Sequence, residues 1–440
     1  MSRLLSVGLD VGTTSSQLVV SELKVENLAG SFAVPQMEIM RRKILYQSPV
    51  HFTPLLEGEL VDGEKLRQIV DAEYEKAGIT KKQVDTGAII ITGETSRKEN
   101  ARTVLQALSD YAGEFVVATA GPDLESILAA RGAGAVAFSE KTGKKVLHMD
   151  IGGGTSNLTQ IADGKICATS CLNIGGRLLK IDPDARLTYV SPVLEGLFSG
   201  EVGDYVNQET VMALCCKLVQ ALEWAAGLRQ EEPWMRKLCT AGAHTPEPFP
   251  GAVISFSGGV ADCINREQPW LAFGDMGPEL GRAIRESRLC RGEYVLGEET
   301  IRATVIGAGC HSTQLSGSTV FYRNMSFPLK NLPVVESVEA LMKLDGPGVL
   351  ALEGERSPDY SRVAAMAEEL AGAFGGRPLL LALREDMAKA LGQQLALRTG
   401  MDGQILCIDR VVLKEGDYLD VGAPVGPALP VVVKTLILSK

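Results

Sequence analysis

Two segments of the sequence combine an aspartate with glycine and hydroxyl residues in the same order. Residues 7–20 read VGLDVGTTSSQLVV, and residues 147–159 read LHMDIGGGTSNLT. In each, an apolar run ends at an aspartate, small residues follow, and a second apolar run begins. The two aspartates, Asp10 and Asp150, are 140 positions apart. A repeat at that spacing is too long for a solenoid and favours two related α/β lobes that face each other.

The small residues after each aspartate are suited to holding a phosphate group. Glycines let the backbone approach a ligand closely, and successive N–H groups with neighbouring hydroxyls can surround phosphate oxygens. A carboxylate repels phosphate, so the aspartates would act through Mg²⁺ and its water shell. An ordinary β-turn led by an aspartate would also explain the first motif. The predicted phosphate-binding groups are Gly12, Thr13, Thr14 and Ser15 in the first motif and Gly152, Gly153 and Gly154 in the second.

Three further segments contain the remaining small residues of interest. SFSGGVAD follows an apolar run, and its Ser257, Gly258 and Gly259 could lie against a flat adenosine, although a plain strand-to-helix turn has the same composition. Residues 121–135 and 302–317 are predicted helices rich in alanine and glycine. Small residues allow helices to cross closely, which fits either tight packing or a hinge.

The elements that carry these motifs alternate between strand and helix, as expected for an α/β protein. The alternation predicts a first lobe over residues 1–140 and a second over 141–323. Residues 324–348 contain three prolines and weak periodicity, so we expect a linker there. Residues 349–440 are predicted to form a small C-terminal α/β domain.

Composition excludes several classes of protein. The 440 residues have a net charge of −10, so nucleic acid is not expected as a partner. No apolar run is long enough to span a membrane, and we expect the N-terminus to be a strand and not a signal peptide. We therefore expect a cytoplasmic protein whose nine cysteines are reduced. The four histidines, His148 among them, have no metal-ligand spacing and are expected to be surface or core residues.

The order of these motifs resembles the actin-like ATPase superfamily, which includes sugar kinases and 70-kDa heat-shock proteins. DVGTT is similar to its first phosphate motif, VLHMDIGGGTSN to its second, and VISFSGGVAD to its adenosine motif. The two small-residue helices resemble its two connecting helices. The resemblance implies two ribonuclease H-like lobes that bind ATP with Mg²⁺.

A closer resemblance is to the reactivating factors of ethanolamine ammonia-lyase. It rests on segments spread along almost the whole chain, some of which have no general ATPase role, including YQSPVHFTP, GAIIITGETSRKENAR, RATVIGAGCHSTQLSGST and KEGDYLDVG. It implies a chaperone-like, weak ATPase that binds the inactivated lyase, releases damaged cobalamin and lets intact adenosylcobalamin enter. The connection with ethanolamine also makes a bacterial microcompartment an expected location.

The resemblance also implies roles for individual residues. Asp10 and Asp150 would organise Mg²⁺, and Thr155 would join the phosphate contacts already named. Ser257, Gly258 and Gly259 would hold the nucleoside. Asp123, with Glu125 as its rival, would orient the attacking water, and Thr92 and Glu94 would line the same cleft.

Three alternatives use similar motifs. A sugar kinase would need a sugar pocket with aromatic residues, and only 5% of the residues here are aromatic. A reductive activator of a dehydratase would bind an iron–sulfur cluster, for which Cys167 and Cys171 are candidates, although core cysteines are commoner. A filament-forming actin-like protein would assemble on addition of ATP, and the lyase-related segments count against it.

Overall fold

The computed structural model describes most of the chain. The described residues are 2–12, 15–27, 37–56, 60–91, 108, 117–119, 122–297, 300–311, 313–316, 320–374, 377–413, 415, 417–424 and 428–435. Of the predicted site residues, Thr13, Thr14, Thr92 and Glu94 lie outside these ranges.

The first part of the chain forms one sheet with flanking helices. Its elements are β1 (Ser2–Val11), β2 (Ser15–Asn27), β3 (Met37–Gln47), β4 (His51–Phe52), α1 (Gly63–Ala77), β5 (Thr86–Ile91), β6 (Val117–Thr119), α2 (Pro122–Gly132) and α3 (Ala135–Thr142). The strand order is β3-β2-β1-β5-β6. The β1–β2–β3 meander is antiparallel, whereas β5 and β6 are added in parallel to β1.

The second part repeats this topology. Its elements are β7 (Val146–Ile151), β8 (Ser156–Ala162), β9 (Lys165–Leu172), β10 (Leu179–Ile181), β11 (Leu187–Val190), α4 (Gln208–Ala225), β12 (Val253–Ser257), α5 (Asp262–Asn265), α6 (Gly277–Glu286), β13 (Tyr294–Leu296) and α7 (Ala303–His311). The order is β13-β12-β7-β8-β9, again with an antiparallel meander and two parallel strands. The repeat seen in the sequence is therefore a repeat of a whole lobe.

Local sequence explains where these elements begin and end. β5 and β7 read TGAIII and VLHMDI, and every residue of both is buried, as is usual for parallel strands covered on both faces. The Asp62 carboxylate accepts a hydrogen bond from the Lys65 N–H and begins α1, which ends at Gly78 with a φ of 66°. The helix predicted over residues 121–135 is observed as α2, and Gly134, whose φ is 78°, separates it from α3.

The third part of the chain forms an eight-stranded sheet. Its elements are β14 (Thr313–Leu315), β15 (Phe321–Arg323), β16 (Leu329–Val335), α8 (Val338–Met342), β17 (Val349–Leu352), α9 (Tyr360–Phe374), β18 (Leu379–Leu383), α10 (Ala388–Arg398), β19 (Ile405–Asp409), β20 (Asp417–Val421) and β21 (Pro430–Thr435). The order is β14-β21-β20-β16-β17-β18-β19-β15. Strands β16 to β19 are parallel neighbours, as the predicted α/β character requires.

The boundary of this C-terminal unit differs from the prediction. Residues 324–348 were expected to be a linker, but they contain β16, which pairs with β17 and β20 inside the sheet, and helix α8. β14 and β15, which fall within the predicted second lobe, pair into the same sheet. The prolines suggested a linker, but they occupy positions that a strand tolerates. Pro328 precedes β16, and Pro333 lies beside a register irregularity, where a missing N–H is tolerated.

The C-terminal unit packs on the first lobe and on both connecting helices. Val432 of β21 is buried in a cluster with Ala88 and Ile90 of β5, Leu128 of α2 and Ala308 of α7. Only one residue separates α7 from β14. Among the described residues, no helix is long and apolar enough to cross a membrane.

Candidate nucleotide site

The first hairpin is closed by a tight turn between β1 and β2. The Gly12 N–H donates to the Ser15 carbonyl at 2.9 Å. Two side-chain hydroxyls support this turn. Thr53 Oγ1 donates to the Gly12 carbonyl at 2.8 Å and lies 2.9 Å from Ser16 Oγ. Asp10 is the last residue but one of β1 and is partly exposed beside the turn.

The second hairpin closes with the same hydrogen bond. The Gly152 N–H donates to the Thr155 carbonyl, also at 2.9 Å. The rear of this glycine turn is covered by the segment after β9, since the Gly176 and Arg177 N–H groups donate to the Gly152 and Gly153 carbonyls. A Cβ on Gly175 would lie 2.3 Å from the Gly153 oxygen, so only glycine fits there. Gly154 is exposed, and a Cβ on it would meet nothing within 4 Å.

Asp150 is much more enclosed than Asp10. Its residue is only 6% exposed, and burial raises the pKa of its carboxyl to about 6. Hydrogen bonds from Ser257, Thr304 and Asn157 oppose that shift. Ser257 Oγ donates to Asp150 Oδ1 at 2.5 Å, and Thr304 Oγ1 lies 3.5 Å from Asp150 Oδ2. A buried carboxylate with a raised pKa is a frequent sign of a functional site.

The Ser-Gly-Gly segment lies directly beside Asp150. Ser257 is the register partner of Asp150 in the parallel β7–β12 pair, and its hydroxyl is fully buried against that carboxyl. Gly258 has a φ of 87°, and a Cβ on it would lie 2.3 Å from the Ile151 oxygen. Gly259 is exposed. The Ser257 side chain thus contacts the aspartate, and its predicted contact with a nucleoside stays a prediction.

Asp123 lies in the first turn of helix α2 and has a hydrogen-bond partner on a strand of the second lobe. Thr169 Oγ1 of β9 donates to Asp123 Oδ1 at 2.5 Å. In the sheet, β8 lies between β9 and β7, the strand that bears Asp150. The role of Asp123 in orienting water therefore remains a prediction, with its carboxylate held by Thr169 in this conformation.

Sequence reasoning missed two buried amides next to the aspartates. Gln17 is the cross-strand partner of Asp10, and Asn157 is the cross-strand partner of Asp150. Both are buried, and Gln17 Oε1 and Asn157 Oδ1 have no hydrogen-bond partner among the described residues. Each follows its aspartate by seven positions, and this common spacing is the one trace of the pair in the sequence, since both strands contain other polar residues.

Contacts at the start of α7 join the two hairpins. Gln17 Nε2 donates to the Ile301 carbonyl at 3.2 Å, and the Arg302 guanidinium donates to the Ser48 carbonyl at 3.1 Å. Thr304, three residues after Ile301, reaches Asp150. The same short segment therefore contacts the first lobe and the second hairpin.

The connecting helices α2 and α7 cross at two of the predicted close-packing glycines. A Cβ on Gly132 would lie 1.8 Å from the Ala303 oxygen, and a Cβ on Gly307 would lie 2.1 Å from the Leu128 oxygen. Backbone meets backbone at this crossing, so neither position accepts any side chain without moving a helix.

These features define a class of protein. The two lobes have the same strand topology, and each presents an aspartate hairpin. Closely crossing helices join the lobes. This arrangement is the actin-like ATPase fold, as predicted. Solved structures with similarity to this chain include an Aquifex aeolicus Ppx/GppA protein (TM-score 0.37, 17% identity, 60% of this chain and 69% of that one). They also include ethanolamine utilization protein EutJ from Carboxydothermus hydrogenoformans (TM-score 0.35, 17% identity, 70% and 90%).

Sequence comparison gives the particular family. The family model described as "Ethanolamine utilisation protein EutA" matches residues 2–347 and 339–439. A Salmonella typhimurium protein named ethanolamine ammonia-lyase reactivase EutA is 39% identical over 467 aligned residues, covering 99% of this chain and 98% of that protein. The Escherichia coli protein of the same name is 38% identical with the same coverage. The chain belongs to the EutA family, and the predicted resemblance is confirmed.

Proposed function

We propose that this chain is an ATP-dependent reactivating factor for ethanolamine ammonia-lyase. It would bind the inactivated lyase, release damaged cobalamin and let intact adenosylcobalamin bind. The names of relatives that match along almost the whole chain support this function over the kinase, dehydratase-activator and filament alternatives. The observation that carries the nucleotide part is the pair of hairpins that close with the same 2.9 Å hydrogen bond beside Asp10 and Asp150.

The side chains around the two hairpins fit a hydrated Mg²⁺. Among the described residues, no group of three histidine, cysteine or carboxylate side chains could enclose a metal, but Mg²⁺ bound to a nucleotide needs only one or two carboxylates. The unpartnered oxygens of Gln17 and Asn157 can accept hydrogen bonds from the waters of such an ion. Asp10 and Asp150 would hold it, and bound Mg²⁺ would neutralise charge on the phosphates.

The remaining site residues would bind the nucleotide. Backbone N–H groups of the two turns would cradle the phosphates, with hydroxyls of Thr13, Thr14 and Thr155 adding contacts. Gly258 and Gly259 would lie beside the nucleoside. A nucleotide can shift the angle between the lobes only by its different affinity for the two forms, so the terminal phosphate would contact both hairpins in the closed form. Hydrolysis would remove the phosphate contact with one hairpin and so loosen the closed form of the two lobes.

The location and domain roles follow from the same proposal. An ethanolamine-utilisation protein would work in the cytoplasm or inside a microcompartment, where the lyase is its partner. The two lobes would form the motor, and the C-terminal unit, which begins near β14, would move with α7.

The test separates cofactor release from nucleotide binding. Lyase carrying an inactive cobalamin would be mixed with this protein, Mg²⁺ and ATP, ADP or no nucleotide, and free cobalamin would be measured after filtration. We expect release with nucleotide and none without it. Release that is independent of nucleotide, or no release at all under conditions where ATP binds, would contradict the proposal.

A further inference from the structure

A row of buried polar side chains lies behind Asp150. His148 of β7 lies opposite Ser255 of β12, and Asp150 lies opposite Ser257, in the parallel register of the two strands. His148 Nδ1 is 3.1 Å from Ser255 Oγ, and His148 Nε2 is 3.0 Å from Ser257 Oγ. His148, Ser255 and Ser257 are each at most 1% exposed. Polar groups in such a place need hydrogen-bond partners, and these three satisfy one another.

The chemistry of each group fixes the direction of these hydrogen bonds. An ionised carboxylate can only accept, so Ser257 donates its one proton to Asp150 Oδ1. Ser257 must then accept from His148, which places the imidazole proton on Nε2. A neutral imidazole has one N–H, so Nδ1 accepts from Ser255. Each donor in the series Ser255, His148, Ser257 therefore points toward Asp150.

We propose that His148 and Ser255 are positioning residues for the metal-binding aspartate. They hold the Ser257 hydroxyl so that it donates to Asp150 Oδ1, which fixes the carboxylate plane for a hydrated Mg²⁺. The inference rests on the proposed function, since it concerns the Mg²⁺-dependent part of ATP binding. Groups behind a metal ligand commonly orient it in this way, and their loss typically lowers metal affinity about 10-fold to 100-fold.

A positioning role and a packing role for His148 predict opposite orders of effect for two substitutions, His148→Phe and His148→Gln. If the ring only fills space in an apolar core, His148→Phe keeps the ring shape and should be tolerated better than His148→Gln. If the N–H toward Ser257 matters, His148→Gln can still donate from its amide whereas His148→Phe cannot. The order of the two variants therefore separates positioning from packing.

The test measures ATP affinity by calorimetry with Mg²⁺ and with EDTA, for the wild type and both variants. We expect His148→Phe to reduce the gain in affinity due to Mg²⁺ by about 10-fold or more, with affinity in EDTA unchanged, and His148→Gln to retain most of that gain. Equal gains in the wild type and His148→Phe, or a larger loss in His148→Gln, would overturn the proposal. A wild type that binds no ATP would instead reject the proposed function on which it depends.

A second pair of variants covers the case in which His148→Phe does not fold. Ser255→Ala removes the donor to Nδ1, and Ser255→Thr retains a hydroxyl at the same position. We expect the Mg²⁺-dependent gain to fall several-fold in Ser255→Ala and to return in Ser255→Thr. No change in Ser255→Ala would overturn the proposal.

Discussion

Asp10 and Asp150 occupy equivalent positions in two hairpins but differ in their surroundings. Asp10 is partly exposed, whereas Asp150 is buried among Ser257, Thr304 and Asn157. An ionised group in such an enclosed place is stabilised by a nearby cation, so Asp150 should contribute more to the binding of a metal.

Replacing Asp150 by asparagine should weaken binding of Mg²⁺-ATP by at least about tenfold, or about 1.4 kcal/mol. Asparagine keeps the size of the side chain but removes its charge. Calorimetric titration would measure the change, with Asp184→Asn, at an exposed turn, as the control. Binding and hydrolysis at the wild-type level in Asp150→Asn would remove the central role assigned to this residue.

The raised pKa of Asp150, about 6, predicts a pH dependence. Below that pH the carboxyl holds a proton, which must leave before a cation binds. We therefore expect the Mg²⁺-dependent part of ATP affinity to fall as pH is lowered through about 6. Asp150→Asn is the control, because its remaining pH dependence comes from ATP and other groups. Identical pH profiles for the two proteins would contradict the assignment.

The same pKa predicts a difference in stability without metal. When folding raises the pKa of a carboxyl, the folded protein binds the proton more tightly than the unfolded chain does. Protonated Asp150 therefore favours folding, and this contribution to the free energy of unfolding is lost as pH rises through about 6. In EDTA, Asp150→Asn should thus be more stable than the wild type at pH 8, and the difference should shrink toward pH 5. Thermal unfolding at both values measures this, and a constant difference would refute it.

The sequence identified some of the site residues and not others, for a physical reason. Glycine clusters after an aspartate have few uses, so Asp10, Asp150 and their turns were recognisable. Gln17, Asn157 and His148 lie inside strands, where a polar residue is informative only once its face and neighbours are known. Many polar residues elsewhere in the chain simply face solvent. The sheet register is therefore needed to show that Gln17, Asn157 and His148 lie beside the aspartates.

At the scale of elements, the crossing of α2 and α7 joins the two lobes. Gly132 and Gly307 bring the helix backbones into direct contact. The sequence predicted both helices, because helical composition is local, but it extended the second to residue 317, whereas α7 ends at His311 and Thr313–Leu315 form β14. It could not give the crossing point, which depends on how two lobes far apart in sequence pack together.

Gly307→Ala should therefore force the two helices apart. We expect it to destabilise the protein by about 1–3 kcal/mol, the usual range for overpacking, and to reduce reactivation of the lyase. ATP affinity should change little because Gly307 belongs to neither hairpin. Denaturant unfolding and ATP titration measure these effects.

Gly372→Ala is the matched control for that substitution. Gly372 lies in α9, and a Cβ there would meet nothing within 4 Å. Alanine is the better helix former, so stability should be unchanged or slightly higher. Wild-type stability and reactivation in Gly307→Ala would show that the crossing does not couple the lobes.

At the scale of the whole molecule, the C-terminal unit is attached at the helix crossing. Val432 packs against Leu128 and Ala308 of the two helices, and β14 follows α7 after a single residue. The sequence indicated an α/β unit but misplaced its start, because the pairing of β14 with β21 joins residues more than 110 positions apart.

Limited proteolysis tests where this unit begins. Since β16 pairs on both sides within the eight-stranded sheet, Leu329–Val335 should resist cleavage as well as β7 does. Mass spectrometry of early fragments would locate the cuts. Early cleavage inside Leu329–Val335 would favour the linker that the prolines first suggested.

Recovery of lyase activity is the decisive measurement for the proposed function. Inactivated holo-lyase would be incubated with free adenosylcobalamin, Mg²⁺ and ATP, together with either this protein or its Asp150→Asn variant, and ethanolamine deamination would be followed over time. We expect activity to return with the wild-type protein and ATP, and to stay near the uncatalysed level with the variant or without ATP. Equal recovery with the variant, or recovery without any nucleotide, would contradict it.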